Sequence, residues 1–177
     1  MPIALKAHAI RIDDLPPEPL PADLDGLARL LCDAVESGAS VSFMAGLTVA
    51  EARDFWVRKL ASRLARSAAL VARDAGGIIG TVHLEPAWAP NQPHRAEVAK
   101  LLVHRRARRL GLGEALMTGV TTRAAAEGFS LLTLDTASAD AERLYRRLGW
   151  SEAGVIPGFA LNPDGTPCDT VLFFKTL

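Results

Sequence analysis

Cysteine is scarce in this chain. Its two, Cys32 and Cys168, lie far apart and no C-x-x-C string occurs, which excludes a disulfide framework or a thiolate metal site as the organising device. The four histidines have no metal-ligand spacing either, so no metal is expected. No apolar run approaches the length of a membrane span. The opening residues, MPIALKAHAIR, hold too short an apolar run for a secretory signal; the expectation is a soluble, cytoplasmic protein with no membrane partner. A surplus of one charge is missing, since 20 basic residues balance 20 acidic ones, so the whole molecule offers no strong field to nucleic acid. There is no internal repeat and no low-complexity segment. Tyrosine is reduced to one residue, Tyr145.

What is present is enough apolar material, 49% of 177 residues, for a sizeable core and one domain over residues 1–177. Residues 7–12 read as a first strand. Pro16, Pro17, Pro19 and Pro21 make an irregular connection. Asp23 or Asp25 could cap a first helix through Leu27, Leu30, Leu31 and Ala34, ended by Gly38. Residues 39–47 read as a loop. Thr48-x-x-Glu51 is a capping box that opens a second helix, with the stripe Ala52, Phe55, Trp56, Leu60 and Leu64; Trp56 reads as core. Residues 68–73 and 78–85 form two strands joined at Asp74-Ala-Gly-Gly77, a hairpin signal, and residues 86–93 form a loop carrying Trp88. Later strands are expected at 131–135, 151–155 and 170–175, with a loop at 158–167. A helix stopped by Gly149 precedes the second of these.

The stretch that organises the rest is residues 97–115, EVAKLLVHRRARRLGLGEA. Its apolar run 98–103 reads as a buried strand. A basic turn follows, then Gly111 and Gly113, then a helical stripe of Leu112, Leu116 and Val120. Strand, basic glycine-bearing turn and helix start have a shared physical meaning. Unpaired N–H groups and the dipole of the first helical turn favour an anion. Glycine permits close backbone approach, and arginine supplies cationic forks. Together these make a seat for a pyrophosphate. A run of arginines can also be a solvated face or a nucleic-acid patch; its position between strand and helix favours phosphate. The P-loop string G-x-x-x-x-G-K-[ST] is absent. A dinucleotide fingerprint would start at Gly111 and Gly113, with Asp135 about 20 residues on, but its third glycine position holds Leu116 and the unit lies late in the chain, outside a βαβ repeat.

Arg108-x-x-Gly111-x-Gly113 after Leu101-x-Val103 resembles the coenzyme A loop of the GCN5-related N-acetyltransferases. Ala141-x-x-Leu144-Tyr145-x-x-x-Gly149-Trp150 is similar to that family's signature A-x-x-L-Y-x-x-x-G-[F/W]. The likeness covers residues 70–177 well; earlier, only the order of elements agrees. The resemblance implies an α/β (α+β) fold with a mixed, mostly antiparallel sheet of about seven strands and about four flanking helices. It implies acetyl-CoA as co-substrate and direct attack by an amine in a ternary complex. It implies coenzyme contacts at Leu101, Leu102, Val103, Arg108, Arg109, Leu110, Gly111, Leu112, Gly113 and Glu114. Ser138 stands where the family often has asparagine seven residues before the tyrosine. The pantetheine arm would lie along the central strand like an added strand.

The resemblance gives Tyr145 the role of acid to the leaving thiolate, a task within reach of a phenol with a pKa near 10. For the base, Glu97 and Asp135 stay open; strict alternation would put Glu97 on one face with Ala99, Leu101 and Val103. Glu97 could instead serve a salt bridge and Asp135 a helix cap. His83 and His94 are weaker candidates. The acceptor pocket would be built from residues 42–47, Trp88 and residues 159–169. The strings Ala96-Glu-Val-x-Lys100-Leu-Leu-Val-His104 and Leu132-Thr-Leu-Asp-Thr136, with a later Pro163-Asp-Gly165, are similar to a branch containing the tabtoxin-resistance acetyltransferases, which implies a small-molecule amine. A peptide or protein amine, and a non-catalytic acyl-CoA-binding module, are the competing readings. A homodimer could form through a sheet edge or the loop near Trp88.

Overall fold

A computed structural model of the chain describes residues 10–177. Seven strands form one sheet in the order β1-β2-β3-β4-β5-β7-β6: β1 (Arg11–Asp14), β2 (Ala68–Asp74), β3 (Gly77–Pro86), β4 (Arg95–Val103), β5 (Leu131–Thr136), β6 (Ser151–Leu161) and β7 (Pro167–Thr176). Only the β4–β5 pair is parallel. Four helices flank the sheet: α1 (Pro21–Glu36), α2 (Val49–Ala61), α3 (Leu112–Ala126) and α4 (Ala139–Arg147). This is the mixed, mostly antiparallel architecture expected.

The two faces carry separate cores. Leu112, Leu116, Met117 and Val120 of α3, with Tyr145 of α4, pack on Ile79, Val82, Leu84 and Leu132. On the other face Leu27, Leu30 and Leu31 of α1, with Trp56 and Leu60 of α2, pack on Ala69, Val71 and Leu102. Trp56 is fully buried and its Nε1 donates to the Leu27 carbonyl at 2.9 Å, as a core tryptophan requires. The Thr48–Glu51 capping box is formed in full.

Several local expectations change. The first strand is Arg11–Asp14, later than expected; residues 7–9 of the expectation lie outside the described residues. Helix α1 starts earlier than an aspartate cap would set it. Pro21 occupies its first turn, where the missing N–H costs nothing, and Asp23, inside that turn, pairs with Arg73 at 2.7 Å. Leu64 lies past the end of α2 and is exposed. Residues 158–161 and 167, expected as loop, and residues 168–169, assigned to no element by the sequence, belong to the strands of the β6–β7 hairpin. A register shift between Ile156 and Ala160 absorbs Pro157 and Gly158 as a bulge, which lets proline sit in an edge strand.

The most consequential change is in β4. Thr81 pairs with Leu102, but His83 pairs with Ala99, so β4 carries one extra residue. Lys100 sits there with φ of 53°. A bulge breaks the period of two. Leu101 and Val103 therefore join the α3 face, while Glu97 shares the α1–α2 face with Leu102. The expectation that Glu97 lies on the face of Leu101 and Val103 is thereby corrected.

Candidate active site

β4 and β5 stay paired only through Arg95↔Leu131, Ala96↔Leu132 and Glu97↔Thr133. Beyond that they part. β4 keeps its bonds to β3 as far as Val103, and β5 keeps its bonds to β7 as far as Thr136. The edge of β4 that faces the gap thus has backbone groups without a strand partner, and such groups bind an extended ligand that brings amides of its own.

The gap leads to the basic turn. A 3-10 turn, Arg105–Ala107, is followed by Arg109 and Gly111, both with positive φ (61° and 79°). Gly111 is the N-cap of α3 and gives it no side-chain cap, so the first N–H groups of α3 are available to an anion. An added Cβ at Gly113 would meet Leu144 Cδ2 at 3.3 Å; glycine there lets the start of α3 lie close to α4. The arginines divide. Arg105 is bound by buried Asp33 and by Glu36, and Arg106 by Asp74. Asp33 also accepts from the Arg105 backbone N–H at 2.9 Å. These two arginines fasten the turn to α1 and to the β2–β3 hairpin, so the basic run does not act as one phosphate patch. Arg108 donates to the Val103 carbonyl at 3.2 Å and stands 4.0 Å from Asp33. Arg109 has no ion pair among the described residues. Leu112 is buried, so only its backbone can face a ligand, whereas Leu110 is exposed. Glu114 lies 3.6 Å from Arg147. Ser138 caps α4, its hydroxyl accepting from the Ala141 N–H at 3.4 Å.

The three candidate catalytic side chains belong to opposite faces of the sheet around this gap. Tyr145 comes from the α4 side, its ring buried against Trp150 and Phe173. Burial first, then the charge of Asp135, pushes its phenol well above the usual value, so it stays protonated. Glu97 and Asp135 lie on the α1–α2 side, since Glu97 pairs with Thr133 and Asp135 is two residues further along β5. Burial, then Glu85, then Asp135 raise the pKa of Glu97. Asp135 accepts from Thr170 Oγ1 at 2.8 Å, and does not cap a helix. Its charge bears on both Glu97 and Tyr145, raising the pKa of each. Of the histidines, His83 is buried against Trp56 and held neutral by burial and by the cations Lys59, Arg63 and Lys100; His94 accepts in the turn before β5 through its carbonyl.

Sequence reasoning missed the groups that serve the α1–α2 face. Lys100 Nζ donates to the Val41 carbonyl (3.1 Å) and to Ser42 Oγ (3.0 Å), fastening the 39–47 loop to the bulge. On either side of that tie the loop is held by the β6–β7 hairpin: Ala45 N–H donates to the Pro163 carbonyl at 2.9 Å and Ser40 Oγ to the Leu161 carbonyl at 2.9 Å. The loop therefore crosses from β4 to the hairpin beyond β5, over the gap. Two surface cavities flank it, of about 460 Å³ beside Phe43, Glu51 and Asp54 and about 640 Å³ beside Cys32, Leu47 and Asn162; neither reaches Glu97, Asp135 or Tyr145. The resemblance assigns residues 42–47 and 159–169 to the acceptor pocket; the ties through Lys100, Ser40 and Ala45 have no sequence signal. Among the described residues no helix is long and apolar enough to cross a membrane.

Residues 42–150 match the acetyltransferase (GNAT) family. The whole fold is similar to a GCN5-related N-acetyltransferase from Kribbella flavida (TM-score 0.77, 23% identity, 96% of this chain and 98% of that one). It is similar to a ribosomal-protein-alanine N-acetyltransferase from Brucella melitensis (0.77, 23%, 94% and 99%). It is also similar to a phosphinothricin acetyltransferase from Sinorhizobium meliloti solved with acetyl-CoA (0.79, 20%, 95% and 88%).

Proposed function

We propose, from the premise that this chain belongs to the acetyltransferase (GNAT) family, that it transfers an acetyl group from acetyl-CoA to the amine of a small molecule by direct attack in a ternary complex. The pyrophosphate rests on residues 108–113 and the pantetheine arm lies along the free edge of β4. The acetyl thioester then reaches the gap, with Tyr145 on one side and Glu97 on the other. On going from ammonium to amide the nitrogen gives up two protons. Glu97 takes the first and passes it to water. The lone pair attacks the carbonyl carbon, the C–S bond breaks, and the thiolate takes a proton from Tyr145. Tyr145 recovers it at the expense of the second nitrogen proton, through water. A raised Glu97 is a stronger base than an ordinary carboxylate, and Tyr145, kept protonated, carries the proton the thiolate needs, though burial makes it a weaker acid than a free phenol.

The observation that carries the small-molecule reading is the roof. The 39–47 loop is tied to Lys100 of β4 through Val41 and Ser42 and to the β6–β7 hairpin through Ser40 and Ala45, so it bridges the α1–α2 side of the gap. A peptide substrate needs a groove open at both ends. The acceptors in the names of the Brucella and Sinorhizobium proteins, a ribosomal-protein alanine and phosphinothricin, define the comparison to make. Thiol release is measured with acetyl-CoA and three acceptor sets: small amino acids including phosphinothricin, polyamines, and peptides with N-terminal alanine. Turnover confined to small amines is the expected result. Turnover confined to peptides would replace the reading, and acetyl-CoA binding without turnover of any acceptor would favour a non-catalytic acyl-CoA module. Glu97→Gln should remove the acidic limb of the kcat/KM profile for the amine; an unchanged profile would take the base role from Glu97.

A further inference from the structure

The β-sheet places two glutamates directly against each other. Glu85 of β3 and Glu97 of β4 are cross-strand partners, so their side chains leave the same face a few ångströms apart. Like charges in that relation destabilise a sheet, and these stand beside the α1–α2 core. One cation offsets them: Lys59 of α2 lies 2.6 Å from Glu85 Oε1. That contact is an ion pair without hydrogen-bond geometry, for Oε1 is buried and has no hydrogen-bond partner. The other groups facing Glu97 are Asp135 from β5, and Arg95 and Lys100 from β4 itself. Arg95 is turned toward Gln92 and the Thr133 hydroxyl, and Lys100 toward the 39–47 loop. Glu85 is therefore the group set squarely against Glu97, and Lys59 is the cation paired with Glu85.

We propose that Glu85, fixed by Lys59, is a positioning residue that keeps a second negative charge against Glu97 and so sets the pH at which Glu97 can accept a proton from the amine. This inference rests on the reading of Glu97 as the base. Glu85 lies on β3, one strand back from the β4 edge that faces the gap. Its charge makes a proton on Glu97 more favourable, which moves the base toward the working pH, where a proton acceptor is most effective. Lys59 acts in the opposite sense, limiting the effect so that Glu97 is still ionised when the amine arrives. The bulge at Lys100 is part of the device: upstream of it Glu97 keeps the register that opposes it to Glu85, while Leu101 and Val103 turn to the other face.

The test needs no acceptor. The carboxyl carbon of Glu97 is followed by NMR through a pH titration of ¹³C-glutamate-labelled protein, with Glu97→Gln identifying its resonance. Glu85→Gln, which keeps shape and removes charge, should lower the Glu97 midpoint by about half a unit, as expected for a neighbouring charge in a half-solvated setting. Lys59→Met should raise it. A Glu97 midpoint unmoved in Glu85→Gln, in protein whose melting temperature shows it folded, would overturn the proposal, as would shifts of the same sign in both variants. The base reading is scored separately by turnover: full amine acetylation in Glu97→Gln would sink that reading while the titration still reports the coupling.

Discussion

The two faces of the central sheet are made of different materials. Against α3 and α4 the core is apolar apart from the polar ends of Tyr145 and Trp150. Against α1 and α2 it includes buried or half-buried His83, Thr81, Asp33, Glu85 and Lys100. In the proposed reaction the first face serves the coenzyme, whose pyrophosphate and arm make the same demands whatever the acceptor, and backbone and glycine meet them. In that reaction the second face serves the acceptor and takes the proton of the amine, a task for charges set against one another at a cost in desolvation. A donor side of fixed geometry and an acceptor side of tuned electrostatics would allow one fold to serve many amines.

Breaking the coenzyme face should have the largest effect. Gly111→Glu puts a side chain at φ of 79° and a negative charge at the anion seat. Acetyl-CoA affinity by calorimetry should fall by about a hundredfold or more, and unchanged affinity would refute the seat. Next is Tyr145→Phe, which should lower kcat by about a hundredfold and leave acetyl-CoA affinity nearly untouched. An unchanged kcat where chemistry limits would show that the two faces do not divide the proton work as described. Asp33→Ala removes the carboxylate that accepts from the Arg105 backbone and side chain. About 2 kcal/mol of stability should be lost in urea unfolding, with weaker acetyl-CoA binding, because the turn loses its tie to α1; a variant as stable as the wild type would mean Asp33 is no anchor.

The smallest effect sharpens the acceptor face. His83 is neutral in the native state, with its pKa held well below 6.5 by burial and nearby cations, and its Nε2 has no partner among the described residues. The unfolded chain protonates it near 6.5. Its contribution to stability is thus complete above that pH and is lost as pH falls below it. His83→Gln should show a smaller drop in melting temperature between about pH 7.5 and about pH 5.5 than the wild type. An equal drop would assign the acid sensitivity to other groups.

How far each face was legible in the sequence follows from the same contrast. The coenzyme face announces itself because positive φ demands glycine at Gly111, close helix approach demands it at Gly113, and Leu112, Leu116 and Val120 recur at helical spacing. The acceptor face turns on a bulge at Lys100, a residue type with no preference for positive φ, so strict alternation put Glu97 on the wrong face. The pairing of Glu85 with Glu97 and the ties of Arg105 and Arg106 to Asp33, Glu36 and Asp74 are long-range contacts with no local signature. Pro157 and Gly158 read as the end of a strand because a bulge that tolerates them depends on the partner β7.

The central claim is that the thioester lies in the gap between β4 and β5, with Tyr145 and Glu97 on opposite sides. A crystal structure of the chain with acetyl-CoA tests it most directly. The account predicts pyrophosphate on the backbone of residues 108–113, an arm paired to β4, and the sulfur about 3 Å from the Tyr145 hydroxyl. A coenzyme whose arm runs elsewhere, or whose sulfur lies out of reach of Tyr145, would contradict it.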